Sequence, residues 1–232
     1  MHNPMIRVLS GLKFTPLFFC FAILLGWSSS AWAEPVPETA AHSENDVYAK
    51  GRLSLQLVSG ALFSLTNVPD GTPVFNYAQT NLRLGVMFTD PGPQDCFLRG
   101  NWEGIFEVTN SIIFKGFGNY MGGVTALVRY NFVQPDWKVI PYLQAGAGII
   151  YNDAYKDQSQ NAIGQAIEFT PQASVGLHYM ISDKWALDVE GMIQHISNAD
   201  MAERNSGINA VGGFVGITYF FDGLWQWQVP SE

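Results

Sequence analysis

The chain has 232 residues, of which 47% are hydrophobic and only 14% charged, and its formal net charge is −8. An acidic chain with so few cations offers no surface for a polyanion, which argues against nucleic-acid binding. Two cysteines in this length exclude a disulfide-built scaffold.

In chain order, the first segment reads as an export signal. Arg7 and Lys13 precede an apolar run from Pro16 to Trp27, and Ala31-Trp32-Ala33 supplies an A-x-A cleavage site before Glu34. The run is too short for a membrane-spanning helix. Removing residues 1–33 takes away two cations and no acid, moving the formal net charge from −8 to about −10. It also leaves Cys96 as the sole cysteine, read as a thiol without a role. Residues 34–50 read as a short periplasmic lead-in, polar and proline-containing up to Asp46.

From residue 51 onward helical periodicity is absent, and eight segments alternate with period two. They run approximately 53–63, 77–88, 98–108, 120–132, 139–151, 167–179, 185–197 and 207–221. In the second, Leu82, Leu84, Val86 and Phe88 oppose Asn81, Arg83 and Met87. In the third, Trp102, Phe106 and Val108 oppose Asn101, Glu103 and Glu107. The polar faces mix arginine with glutamate, as a hydrated interior tolerates. The apolar faces end in aromatics such as Trp102, Tyr130, Tyr151, Trp185 and Tyr219, placed like interfacial girdles.

These features predict an all-β protein, an eight-stranded antiparallel transmembrane β-barrel over 51–222, preceded by a cleaved signal peptide and followed by an extension at 223–232. The export signal places it in a bacterial outer membrane. A soluble β-sandwich or lipocalin-like barrel is the alternative reading of the same alternation. With both termini periplasmic, short turns are expected after strands two, four and six, and longer loops after one, five and seven. The short link Lys115-Gly116-Phe117-Gly118 after strand three departs from that scheme.

The seventh segment holds the most informative residues. His195 and Ser197 share a face with Trp185, Leu187, Val189 and Ile193, whereas Asp188, Glu190, Gln194 and Asn198 lie on the other. Ten residues above Trp185, at about 3.3 Å each and tilted by about 40°, the chain has climbed about 25 Å. His195 is therefore expected at the outer rim facing lipid, at the depth of outer-leaflet acyl esters. A serine hydroxyl needs a base to take its proton, and the base needs a third group to orient it. Symmetric pairing of the last two strands about their loop matches His195 with Asn209, whose carbonyl can accept from the imidazole.

Asn205 in the loop 199–206 is a candidate oxyanion donor, with Asn198 a second. Asp200 and Glu203 are less favoured alternatives as the orienting group. Arg204 is a candidate for lipid phosphate, or simply a solvated loop residue. The remaining histidines, His42 and His178, stand far from His195 in sequence, so neither metal nor cofactor is expected.

The pattern His195-x-Ser197-Asn198-Ala199 followed by Asn205-x-Gly207-Ile208 resembles the lipid A 3-O-deacylase (PagL-like) family of small outer-membrane barrels. The resemblance implies Ser197 as nucleophile, His195 as base, an oxyanion role near Asn205, and lipopolysaccharide of the outer leaflet as partner. The family's triad has a glutamate where this chain has Asn209. Outer-membrane phospholipase A also carries His-x-Ser-Asn with an asparagine at the spacing of Asn209, but on a larger, twelve-stranded, calcium-dependent barrel. A phospholipase, and a non-catalytic structural or adhesive barrel, are the alternative functions.

Overall fold

A computed structural model describes residues 47–66, 72–93 and 96–221. The expected export signal, the lead-in up to Asp46 and the C-terminal extension lie outside the described residues. Nine strands form the wall: β1 Leu53–Ser64, β2 Asn76–Met87, β3 Asn101–Lys115, β4 Tyr120–Asn131, β5 Val139–Asn152, β6 Ile167–Phe169, β7 Gln172–Met180, β8 Trp185–Ile196 and β9 Ile208–Phe221. Consecutive strands pair antiparallel, except that β6 and β7 both pair with β5, and β9 returns to β1, which closes the sheet. Strands β6 and β7 are one stave. The partners stay in step across their break, with Gly146 opposite Gln172 and Ile149 opposite Phe169. Pro171, which has no N–H to donate, marks the interruption. The result is the expected closed eight-stranded barrel.

Alternation along each strand sorts the side chains between two surroundings. Leu57, Leu82, Phe106, Val128, Leu143, Val175, Val189 and Val215 point outward, each at least 45% exposed. Such an apolar outer wall has a favourable solvent only in lipid. Inside, the middle of the barrel is filled by buried polar groups. Arg83 donates from Nε to Glu107 at 2.6 Å and from both terminal nitrogens to Glu190, at 2.6 and 3.0 Å. Arg129 reaches Glu103 and Gln56 and lies over the Tyr142 ring at 4.3 Å. Tyr142 in turn donates to Glu190 at 2.8 Å. Burying these charges is tolerable because each guanidinium meets carboxylates in hydrogen-bonding geometry.

Apolar clusters close both ends of this polar middle. At one end Val47 and Tyr48 are buried with Met87, Val133, Ile140 and Phe220, so the last residues of the expected lead-in plug the barrel rather than trail from it. At the other, Phe75, Tyr77, Ile163, Ile196, Ile208 and Phe214 pack together beneath the β5–β6 and β8–β9 links.

Two expectations need correction. Strand β3 runs to Lys115 rather than to Val108. The same alternation continues past Val108, with Ile112 and Phe114 outward and Thr109 and Ser111 inward. It is masked in the sequence by polar Asn110 facing outward and Ile113 inward. The link after β2, 88–100, is not a short turn. In its described part the Gln134 amide donates to the carbonyls of Cys96 and Phe97, with the free Cys96 exposed.

Candidate active site

The pairing of β8 with β9 sets Trp185 opposite Tyr219 and, at the far end of the same ladder, His195 opposite Asn209. Both side chains lie on the outer wall, half-buried. The ladder brings them together: His195 Nδ1 and Asn209 Oδ1 are 2.7 Å apart. A carbonyl oxygen only accepts, so the proton sits on Nδ1 and the lone pair of the neutral ring is left at Nε2. That is the tautomer a general base needs.

Gly207 supports the arrangement from the other side. Its φ is +70°, and a Cβ there would lie 2.9 Å from His195 Cε1 and 3.5 Å from Nε2. The backbone of 207 therefore fills the edge of the imidazole, in a conformation suited to glycine.

Ser197 follows the last residue of β8. It is tied to β6, with Phe169 N–H donating to Ser197 O at 2.7 Å and Ser197 N–H donating to Phe169 O at 3.1 Å. His195 N–H is held by Pro171 O at 2.9 Å. Alternation continues through the strand end, with Ile196 and Asn198 buried and His195 and Ser197 half-buried on the opposite side. Among the described residues no hydrogen bond joins the Ser197 hydroxyl to the imidazole. In free enzymes such contacts are often long and tighten only when substrate binds.

Both asparagines named as oxyanion donors have structural partners. Asn205 Oδ1 accepts from Asn198 N–H at 2.8 Å, and its Nδ2 donates to Asp200 Oδ1 at 2.8 Å. An amide nitrogen carries two hydrogens, so Asn205 retains one donor beyond this bond. Asn198 is different. Its side chain is fully buried and donates to Arg204 O at 3.0 Å, on the face opposite Ser197, which removes it as a side-chain donor to the same ester. Asp200 is engaged by Asn205, so the acid considered as an alternative orienting group is occupied elsewhere. The backbone at Ala199 and Asp200 has φ of +52° and +63°, a tight bend that begins two residues after Ser197.

Arg204 was expected to face lipid phosphate or solvent. Instead its guanidinium donates to three backbone carbonyls of the β5–β6 link: Tyr155 and Asp157, each at 2.8 Å, and Gln160 at 3.2 Å. In that link the Asp157 carboxyl is held below its ordinary range by the hydroxyl and N–H of Ser159.

Beside the imidazole the outer wall is furrowed. A cleft of about 440 Å³ is lined by Ala145, Gly146, Pro171, Ala173, Ile193, His195, Asn209 and Val211, among others. The small side chains of Ala145 and Ala173 stand level with each other on β5 and β7, which makes the depression. Sequence reading missed it because depth depends on residues from four staves.

The fold defines an outer-membrane β-barrel, and the candidate site is a His–Asn pair and a serine on its outer wall. A likeness to a solved structure supports the fold. Neisserial surface protein A is matched with a TM-score of 0.52 at 12% identity, over 74% of this chain and 100% of that one. The outer membrane enzyme PagL is matched with a TM-score of 0.48 at 18% identity, over 70% and 97%. The N-terminal β-barrel domain of Pseudomonas aeruginosa OprF gives 0.47 at 13% identity, over 74% and 98%. No curated protein matches the sequence. The family model described as lipid A 3-O-deacylase (PagL) matches residues 76–218, which is more than half of the chain. The chain belongs to that family, and with it to the carboxylic ester hydrolases of the bacterial outer membrane.

Proposed function

We propose that this protein removes the ester-linked acyl chain at position 3 of lipid A through an acyl-enzyme on Ser197. His195 Nε2 takes the proton from Ser197 Oγ as that oxygen bonds to the ester carbonyl carbon. The tetrahedral intermediate then collapses, breaking the bond to the sugar oxygen, which leaves with the proton from His195. Water, deprotonated by the same nitrogen, attacks the acyl-serine and releases the fatty acid. Asn209 holds the ring in the tautomer this sequence requires. Asn205 and the backbone N–H groups of the bend at 199–200 are the donors for the developing oxyanion. The furrow past Ala173 and Ala145 accepts the chain being cleaved.

One observation carries the proposal: a histidine with its Nδ1 proton fixed at 2.7 Å on Asn209 stands two residues from a serine, on a wall otherwise built for lipid. Polar groups there are costly unless used. Lipid A from cells expressing the wild type should lose the 3-linked acyl mass. Lipid A from cells with folded Ser197→Ala should keep it. Equal deacylation by the two would exclude Ser197 as nucleophile.

The amide at 209 also suits a phospholipase of the His-x-Ser-Asn kind. Calcium-stimulated release of fatty acid from phospholipid vesicles, with lipid A untouched, would favour that second reading.

A further inference from the structure

The β8–β9 link, 197–207, carries the nucleophile. Ser197 itself is bridged to Phe169 of β6, but the residues after it lie beyond the wall's regular pairing. What fixes it is the β5–β6 link, 153–166. Besides the three carbonyls that receive the Arg204 guanidinium, Ser206 N–H donates to Asn161 O at 3.0 Å and Gly207 N–H to Ala162 O at 3.1 Å. The receiving link is itself rigid. Gln160 Oε1 accepts from the N–H groups of Ala162 and Ile163, and its Nε2 donates to Asp157 O and Ile163 O. Ala162 and Ile163 are buried in the apolar plug with Ile196 and Ile208.

The two links also meet without a gap. A Cβ on Gly164 would lie 2.2 Å from Arg204 O and 3.0 Å from Asn198 Nδ2. Arg204 O receives the Asn198 amide, and Asn198 N–H is bound by Asn205. A continuous path thus runs from the carbonyls of 155–160 through Arg204 to the residue next to Ser197.

We infer that Arg204 is a positioning residue for the nucleophile, fastening the 197–207 link to the 153–166 link so that Ser197 and the oxyanion donors are held at one geometry. The inference rests on the reading of Ser197 as nucleophile. A guanidinium suits the task because its planar fork addresses several carbonyls at once, which an ammonium on a flexible stem does not. With its guanidinium engaged by three protein carbonyls, its role is distinct from binding an anionic head group.

The test compares Arg204→Gln and Arg204→Lys with the wild type, each full chain folded in lipid and checked by the heat-dependent gel shift of a closed barrel. Misplacing a reacting group by about 1 Å costs on the order of a hundredfold in rate. Both variants are therefore expected to lower kcat by about tenfold to a hundredfold with KM within about twofold. Amide hydrogen exchange should accelerate at Ser206 and Gly207. Gly164→Ala strains the same joint without touching the guanidinium and should give the same kcat-selective loss, which keeps the test available if Arg204→Gln fails to fold.

Unchanged kcat in the Arg204 variants would overturn the inference. So would a rise in KM alone that Lys restores, the signature of a phosphate contact. Ser197→Ala is run alongside. Activity surviving in that variant refutes the nucleophile, whereas a dead Ser197→Ala beside unimpaired Arg204 variants refutes only the role of Arg204.

Discussion

Two histidines on neighbouring strands show how position decides the use of the same ring. His178 on β7 points inward. Its Nδ1 meets the Asp188 carboxylate and its Nε2 accepts from Arg129 at 3.3 Å, while Tyr142 stacks on it with ring centroids 4.7 Å apart. By chemistry alone this His–Asp pair looks more like half of a hydrolase triad than the His195–Asn209 pair does. Yet both its nitrogens are engaged, the ring is fully buried, and an arginine occupies the place of a nucleophile. His195 on β8 has the weaker partner, an amide, but lies on the outer wall beside a serine and an open furrow. Access and a free Nε2 distinguish a base from a structural ring.

The comparison is broken most severely by exchanging the consequences of losing each ring. His195→Ala should lower kcat by about 10⁴-fold, with urea unfolding in vesicles within about 0.5 kcal/mol of wild type. His178→Ala should do the reverse. It leaves the buried Asp188 short of a donor, costing about 2–3 kcal/mol of stability, while activity per folded molecule stays near wild type. A strong kinetic defect in the His178 variant would mean that the interior pair takes part in turnover.

The orienting partner gives the next effect. Asn209→Ala frees the imidazole to rotate and to change tautomer, and steady-state deacylation should fall by about a hundredfold. Gly207→Ala places a Cβ 2.9 Å from His195 Cε1 and forces a side chain into the left-handed region, which itself costs about 1–2 kcal/mol. A loss of about tenfold in kcat is expected, accompanied by a shift of the His195 ring resonances. Asn209→Glu is the smallest and the only gain. A charge-assisted hydrogen bond is stronger than a neutral one by about 1 kcal/mol, hence about fivefold in kcat. A slower Glu variant would show that the site is built around the amide.

Much of this contrast was legible before any coordinates. Period-two alternation places His195 and Ser197 on the lipid side and His178 inside, because a strand sends successive side chains to opposite faces. Symmetric pairing about a single link fixes His195 against Asn209, since an antiparallel ladder has no freedom once its register is set. Across the tight 181–184 turn the observed register is one residue off strict symmetry and pairs His178 with Asp188, a pairing that sequence reading left unused.

The remainder was illegible for definite reasons. Arg204 binds main-chain carbonyls, which every residue possesses, so no sequence pattern announces its partners. Alternation already sets Asn198 on the face opposite Ser197; what the sequence does not announce is that its amide is taken by a main-chain carbonyl, Arg204 O. The extra turn-ward half of β3 escaped because Asn110 faces outward, where its amide meets the Tyr120 hydroxyl at 3.4 Å, and so breaks the apolar pattern.

The central claim is that chemistry occurs at Ser197 on the outer wall, with His195 as its base. The most direct measurement is covalent capture with a serine-reactive lipid phosphonate, followed by peptide mapping of the adduct. The account predicts one adduct, on Ser197, present in the wild type and in folded His178→Ala and absent from His195→Ala and Ser197→Ala. An adduct on another residue, or labelling of Ser197→Ala at the wild-type level, would contradict it.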